Sequence, residues 1–257
     1  MKEIAQNKII EHYVRASKER RKYSNCQLMV NQLEEKVKLG HIVAYELQHT
    51  LLIVENMRGL YYLYYMSESW EWLDFVDNVK QKYQNLIISI VQKEMEETER
   101  SLSKKGYSVY KKYERLRCEG YSVNFSNVNY CNEKDSEDLR RMMDRTFDIF
   151  SDHIPTDKEL EEFISNKQII CIRQEDKVKG FIIFQDKGKT SYIRMVCVDA
   201  DCQGKGFAND LMKMYFGIHT DCTSFTLWYD VKNSKACTLY KKWNYKSDQL
   251  YNLIYVI

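Results

Sequence analysis

Charge of one sign is scarce in this sequence: 39 Lys and Arg stand against 37 Asp and Glu in 257 residues, a net charge of +2. Divided at Gly120, the first part carries 20 basic and 17 acidic residues and the second 19 and 20. Neither part is a basic module, which argues against a dedicated nucleic-acid binder. No C-x-x-C pair occurs among the eight cysteines, and no Cys/His cluster has metal-ligand spacing, so no metal site is expected. Several cysteines, Cys171 and Cys197 among them, fall in apolar strand-like runs, where the side chain acts as a small hydrophobe. Reduced thiols are expected. No apolar run approaches the ~20 residues of a membrane span, and the opening stretch MKEIAQNKIIEHYVRASKER is too charged for a secretory signal. A cytoplasmic protein without membrane contact is the expectation. What is present is an ordinary globular composition, 44% hydrophobic and 30% charged, on a length that suits one large domain or two small ones.

Hydrophobic periodicity divides the chain. Ile4, Ile9, Ile10, Tyr13 and Val14 fall near helical spacing, and residues 1–38 are predicted helical, with Ser24 capping a second segment through Leu28, Val30, Leu33 and Val37. Three short β-type runs follow, Ile42–Leu47, Leu51–Val54 and Leu60–Met66. Trp70–Tyr83 returns to helical spacing. Leu86–Val91 reads as a strand, Glu94–Lys105 as a charged helix stopped by Gly106, and Tyr107–Leu116 as a strand. The second half predicts helices at Asp135–Phe150, capped around Asp135, and at Asp157–Ser165. Strands are expected at Gln168–Arg173, Val178–Gln185 and Tyr192–Val198, with a hairpin turn at Asp186-Lys187-Gly188. A helix then runs to about Gly217, followed by strand Phe225–Asp230, helix Ser234–Lys242 and a strand-like ending, Tyr245–Ile257.

A shift of 138 residues sets LIISIV (86–91) on SFTLWY (224–229) and Tyr113 on Tyr251. The match is one of element order, type and spacing rather than of identities. It implies two copies of one α+β unit, 1–120 and 121–257. The copies differ after the third strand. The first half continues Ser67-Glu68-Ser69-Trp70, without glycine. The second continues through Gln203-Gly204-Lys205-Gly206-Phe207-Ala208 into a helix. Glycines there let backbone N–H groups approach a ligand, and the helix dipole favours an anion at the same point.

With that loop stand Asn233, Ala236 and Tyr240, followed by Asn244-Tyr245. The second half thereby resembles the GNAT acetyltransferases, which have a Q/R-x-x-G-x-G/A loop after the fourth strand and an N-x-x-A-x-x-x-Y-x-x-x-G-F signature around the last helix. Gln203, Gly206 and Ala208 match the first pattern. Asn233, Ala236 and Tyr240 match the second, with Asn244-Tyr245 in place of Gly-Phe; Asn tolerates the left-handed backbone that Gly provides. The resemblance implies a mixed, mostly antiparallel central sheet flanked by helices, the first half being a reduced unit of the same type without the coenzyme loop.

It also implies acetyl-coenzyme A as cosubstrate. The pyrophosphate would sit on the amides of Gly204, Lys205, Gly206, Phe207 and Ala208, with Gln203 in the same turn and Lys205 adding either a charge or only a solvated side chain. The pantetheine arm would lie along Met195, Val196, Cys197 and Val198, and strand 225–230 would splay to admit it. Asn233 would bond near the arm or cap the helix at Ser234. Tyr240 would give a proton to the leaving thiolate, or be a packed aromatic. No base is legible; His153, beside Asp152 in the linker that borders the acceptor site in the family, is the candidate. Cys197, apolar in setting and without a nearby His, fits packing better than a covalent acyl-enzyme. The expected activity is direct acetyl transfer to the primary amine of a small molecule such as an amino sugar or amino acid, with the first half shaping the acceptor cleft. A peptide acceptor is the alternative within the enzyme class, and a coenzyme-binding or dimer-forming module without turnover the alternative outside it; a homodimer is compatible with either. The aromatic run YYLYYM (61–66), with Tyr45, Trp70 and Trp72, reads as core or as a stacking wall for a flat ring.

Overall fold

The computed structural model describes residues 2–257 except 20–22, 27, 71, 121, 122, 124 and 126. In chain order the first elements are β1 (Lys2–Glu3), α1 (Ile9–Lys18), β2 (Tyr23–Ser24), α2 (Val30–Lys38), β3 (Ile42–Leu47), β4 (Thr50–Met57), β5 (Leu60–Ser67), α3 (Trp72–Lys80), β6 (Leu86–Gln92), α4 (Glu96–Lys104) and β7 (Lys111–Glu119). There follow α5 (Ser136–Thr146), α6 (Asp157–Ser165), β8 (Ile169–Gln174), β9 (Lys177–Lys187), β10 (Thr190–Val198), α7 (Phe207–Ile218), β11 (Ser224–Asp230), α8 (Ser234–Lys242) and β12 (Lys246–Val256), with short 3-10 turns at Gln6–Lys8, Glu133–Asp135 and Ala200–Cys202. The architecture is α+β, as the helix and strand periods predict. Two compact units form, one of Met1–Lys112 with Tyr251–Ile257, the other of Tyr113–Leu250.

The first unit is a sheet in the order β1-β3-β4-β5-β6-β12, with β2 on β5. Helices cover both faces, which explains why β4 is apolar at successive positions. Leu52 and Val54 join a cluster with Trp72, Val76 and Val79 of α3 and Leu102 of α4. Leu51 and Ile53 join another with Ile9, Tyr13 and Ala16 of α1 and Leu33 of α2. The aromatic run serves this packing: the ring of Tyr65 stacks on Trp72 at 3.8 Å, and both are buried. Gly106 ends α4 as expected, in left-handed backbone (φ 82°), with the amides of Gly106 and Tyr107 donating to the Ser103 and Leu102 carbonyls.

Most neighbours in this sheet are antiparallel, but β5 and β6 are parallel and pair only at Tyr61–Leu86 and Tyr62–Ile87. Beyond those residues the strands part, and the chain fills the gap itself. β2 pairs with the end of β5 at Ser67 and Met66. The next residue, Asn25, donates from Nδ2 to the carbonyls of Leu63 on β5 and Ser89 on β6, both at 3.0 Å, and its Oδ1 accepts from the Tyr65 amide at 2.7 Å. This overturns the expected helical cap at Ser24. The Ser24–Asn25 segment is drawn into the sheet, and α2 begins at Val30, where Gln32 Oε1 accepts from the Met29 amide. The two helical segments expected in this region are α1 and α2, with β1 and β2 outside them.

The second unit is a sheet in the order β7-β11-β10-β9-β8, antiparallel except for β10 with β11. α7 and α8 contribute to one buried cluster, and α5 and α6 to another across the sheet. α5 stops at Thr146, short of the expected Phe150, because Phe147 turns to extended backbone. Asp135 is the N-cap residue of α5, and its carboxylate accepts from the Asn132 amide, completing a capping box on the preceding 3-10 turn, and from the Arg173 guanidinium. The division falls at Lys112 rather than Gly120, and the last seven residues join the first unit, where Tyr251–Val256 runs antiparallel to β6. The cause is strand pairing: β7 is hydrogen-bonded to β11 from Tyr113 to Glu119.

Asn25→Ala should destabilise the first unit by about 2–4 kcal/mol, since three backbone groups lose their partner at once. Denaturant unfolding followed by far-UV circular dichroism measures it, and an unchanged midpoint would refute the bridging role of the carboxamide.

Candidate active site

The site begins with a break in backbone pairing. β10 pairs with β9 along its length, with a bulge between Ile193 and Met195. On its other edge it pairs with β11 only from Thr190–Ser224 to Ile193–Leu227. β11 then continues against β7, Trp228 opposite Arg115, Tyr229 opposite Glu114 and Asp230 opposite Tyr113. Met195, Val196, Cys197 and Val198 therefore present one backbone edge toward an open fork. The bulge also resets side-chain alternation. Met195 and Cys197 pack with α5 and α6, while Val196 and Val198 pack against the cluster that contains α7.

The glycine loop closes the base of α7. Asp199 caps the 3-10 turn by accepting from the Ala200 amide at 2.9 Å, and Lys179 ties Asp199 and Asp201 at 3.1 and 3.0 Å. Gly204 (φ 77°) and Gly206 (φ 91°) both take left-handed backbone, and Gly206 is the N-cap of α7. Any other L-residue would be strained at these positions. The Lys205 amide reaches the Cys202 carbonyl at 3.4 Å, and those of Asn209 and Asp210 donate to the Gly206 carbonyl at 2.9 and 3.0 Å. Those of Gly204, Gly206, Phe207 and Ala208 meet no acceptor among the described residues. Such a ring of free donors at a helix N-terminus suits an anion. Gln203 donates from Nε2 to the Val198 carbonyl at 3.4 Å, and its Oε1 lies 3.5 Å from Lys235 Nζ. It thus links the loop to the end of β10 and to the first turn of α8. Lys205 is exposed.

On α8, Asn233 is the N-cap, its Oδ1 accepting from the Ala236 amide at 3.0 Å, which is the capping role weighed for it above. Tyr240 is buried, 6% exposed, with its ring 6.4 Å from that of Tyr229 and 5.9 Å from that of Tyr245. Its hydroxyl makes no hydrogen bond among the described residues, and burial alone pushes the phenol well above its ordinary range. It stays protonated and able to donate. Asn244 adopts φ 62°, the left-handed backbone that a glycine would otherwise supply.

Over the fork on the α5 side runs the linker of residues 147–152. It starts from Thr146, whose Oγ1 accepts from the Cys197 thiol at 3.4 Å, and ends at Ser151 and Asp152, both bonded to the Tyr113 hydroxyl. His153 follows, exposed and with φ 43°. Cys197 is buried, and burial raises its thiol, as expected of a packed rather than nucleophilic cysteine. Asp152, expected in this linker beside His153, is held by Tyr113, and a carboxylate that the sequence did not place here is Glu114, whose Oε2 accepts from the Tyr229 hydroxyl at 2.8 Å. Among the described residues, Cys131, Asp135 and Cys171 come within 4.8 Å of one another. The Arg173 guanidinium bonded to Asp135 already supplies the positive charge there.

Residues 165–247 match the family model of the acetyltransferase (GNAT) domain. No curated protein matches the sequence. Among solved structures, the fold is similar to that of a GCN5-related N-acetyltransferase from Sphaerobacter thermophilus, with a TM-score of 0.64 and 10% identity over 90% of this chain and 86% of that one. It is also similar to a tandem GNAT protein from the clavulanic acid biosynthesis pathway, with a TM-score of 0.56 and 5% identity over 99% and 97% of the two chains. A probable N-acyltransferase from Enterococcus faecalis is matched at a TM-score of 0.56 and 12% identity, over 99% of this chain and 71% of that one. The forked parallel pair and the glycine loop lie inside the segment, residues 165–247, that carries the pattern of a GNAT acetyltransferase domain.

Proposed function

We propose that the protein is an acetyl-coenzyme A dependent N-acetyltransferase that moves acetyl directly to a primary amine of a small molecule. The observation that carries this reading is the alignment of an open backbone edge, Met195–Val198, with the free amides of Gly204, Gly206, Phe207 and Ala208 at its end. An extended arm ending in a pyrophosphate satisfies both: the arm pairs as an added strand, and the phosphates take the helix N-terminus. Asn233 keeps its Nδ2 for the arm while Oδ1 caps α8, and Ala236, one turn on, leaves room beside it. Lys205 adds positive charge at the rim.

Tyr240 supplies the proton that the thiolate needs on leaving. Acetyl transfer passes through a tetrahedral intermediate, and expulsion of sulfur is eased by a positioned acid whose proton is held until then. Transfer is direct, because Cys197, on the edge of the fork, is buried against Thr146. His153, exposed at the edge of the linker, would stand beside the acceptor in this reading. The first unit takes no second coenzyme, since Asn25 already bridges its fork and no glycine loop follows β5. A small amine is preferred to a peptide on account of the linker that crosses the fork.

Isothermal titration with acetyl-coenzyme A should give one site per chain; two sites, or none, would refute the assignment of the loop. Gly206→Val should weaken that binding about tenfold, the equivalent of ~1–2 kcal/mol of left-handed strain. Tyr240→Phe should lower kcat by about 10²-fold or more while leaving coenzyme affinity unaltered, and an unaltered rate would remove Tyr240 as the acid. Binding of coenzyme without thiol release to any amine would favour the non-catalytic module.

A further inference from the structure

We infer that the hydroxyl of Tyr113, hydrogen-bonded to Asp152, takes the proton that the acceptor amine must lose, so that this pair is the base of the transfer. The inference rests on the acetyltransferase reading and supplies the function that no motif revealed.

Placement comes first. Tyr113 lies opposite Asp230, the last residue of β11 and the end of one lip of the fork. The other lip is Cys197, bonded to Thr146. The linker that begins at Thr146 thus crosses from lip to lip and delivers Ser151 and Asp152 onto Tyr113, with Ser151 Oγ 3.0 Å from the phenol oxygen. Side follows from alternation along β7. Leu116 and Cys118 belong to the cluster of α7 and α8, and Glu114 meets Tyr229 on that side. Tyr113 consequently faces the other side, where α5 and α6 lie. Tyr240 and the glycine loop belong to the α7 and α8 side. The amine can therefore approach one face of the thioester while the sulfur is served from the other.

A phenol bonded to a carboxylate can receive a proton on its oxygen and pass its own onward. The ammonium N–H goes to Tyr113 Oη as the Tyr113 proton moves to Asp152 Oδ1, leaving a neutral amine, a neutral Asp152 and an unchanged phenol. The amine lone pair forms the C–N bond, and collapse of the intermediate breaks C–S. The thiolate takes the Tyr240 proton, the second amine proton leaves to water, and water returns one to Tyr240. Asp152 returns its proton to water, so one amide, one thiol and one proton are formed. The groups facing Tyr113 suit a cationic acceptor: Asp152 and Ser151 from the linker and Asp230 from β11, with Asp148 bonded to Asp152 through its amide at 2.7 Å. Burial, then the bond to Asp152, hold the phenol above its ordinary range, so in the resting state the proton is on Tyr113.

The test follows thiol release from acetyl-coenzyme A with glucosamine, L-lysine and spermidine as probes, between pH 6 and about 10, the upper end being set by amine ionisation. Tyr113→Phe and Asp152→Asn should bind coenzyme like the wild type but lose about 10²-fold in kcat at neutral pH. Their rates should then climb about tenfold per pH unit until the amine ionises by itself. A loss by the same factor at every pH, or one that follows coenzyme affinity, would mark a structural role and overturn the relay alone. A wild-type chain that binds coenzyme yet acetylates none of the three amines would overturn the relay together with the reading beneath it.

Discussion

When two parallel strands of a sheet diverge, their facing amides and carbonyls lose their partners, and buried backbone polar groups seldom go without one. Both units of this chain contain such a divergence, between β5 and β6 and between β10 and β11. Much of the remaining structure can be understood as the answer to that constraint. In the first unit the answer is internal. One asparagine carboxamide has the two donors and one acceptor needed to span the gap, and the short strand before it fixes its position. In the second unit no segment of the described chain performs this task, and the glycine loop stands at the end of the opening.

The contrast also explains the different composition of the two halves. A fork filled by its own chain has no use for a ring of free amides, and after β5 the first unit continues through Glu68, Ser69 and Trp70, the indole of which donates to Glu97 at 2.8 Å. A fork that admits a ligand needs glycine where the backbone must turn left-handed, and Gly204 and Gly206 do so. Tyrosine serves both units in different ways. Tyr65 packs against Trp72 as plain core, whereas Tyr240 is buried with no partner for its hydroxyl among the described residues.

What the sequence made legible is local. Helical and β periods recovered nearly every strand, the glycine loop announced its left-handed turns, and Asn233 and Asn244 occupy backbone positions that their residue types favour. What escaped depends on distant pairing. Ser24 reads as a cap because Ser is good at capping, yet its segment is claimed by β5, more than forty positions on. Nothing near Asn25 hints that it meets Leu63 and Ser89. Adjacency in sequence suggests His153 as the companion of Asp152 but gives no hint that this carboxylate accepts from the hydroxyl of Tyr113, 39 positions earlier. The division of the compact units at Lys112 escapes for the same reason: alternation identifies β7 as a strand without naming the neighbour it will choose.

The division of the chain has a consequence in time. Residues 251–257 complete the sheet of the first unit, pairing with LIISIV in β6, and Leu86 and Ile257 exchange amide–carbonyl bonds at 2.9 Å. On the ribosome, that strand emerges only after the whole of Tyr113–Leu250 has been made. At ~5–20 residues per second the delay is on the order of 7–30 s. Throughout it, β6 is an uncapped apolar edge, the kind of surface that recruits foreign strands. The half translated first is therefore the half finished last, and its aggregation hazard is set by the speed of translation.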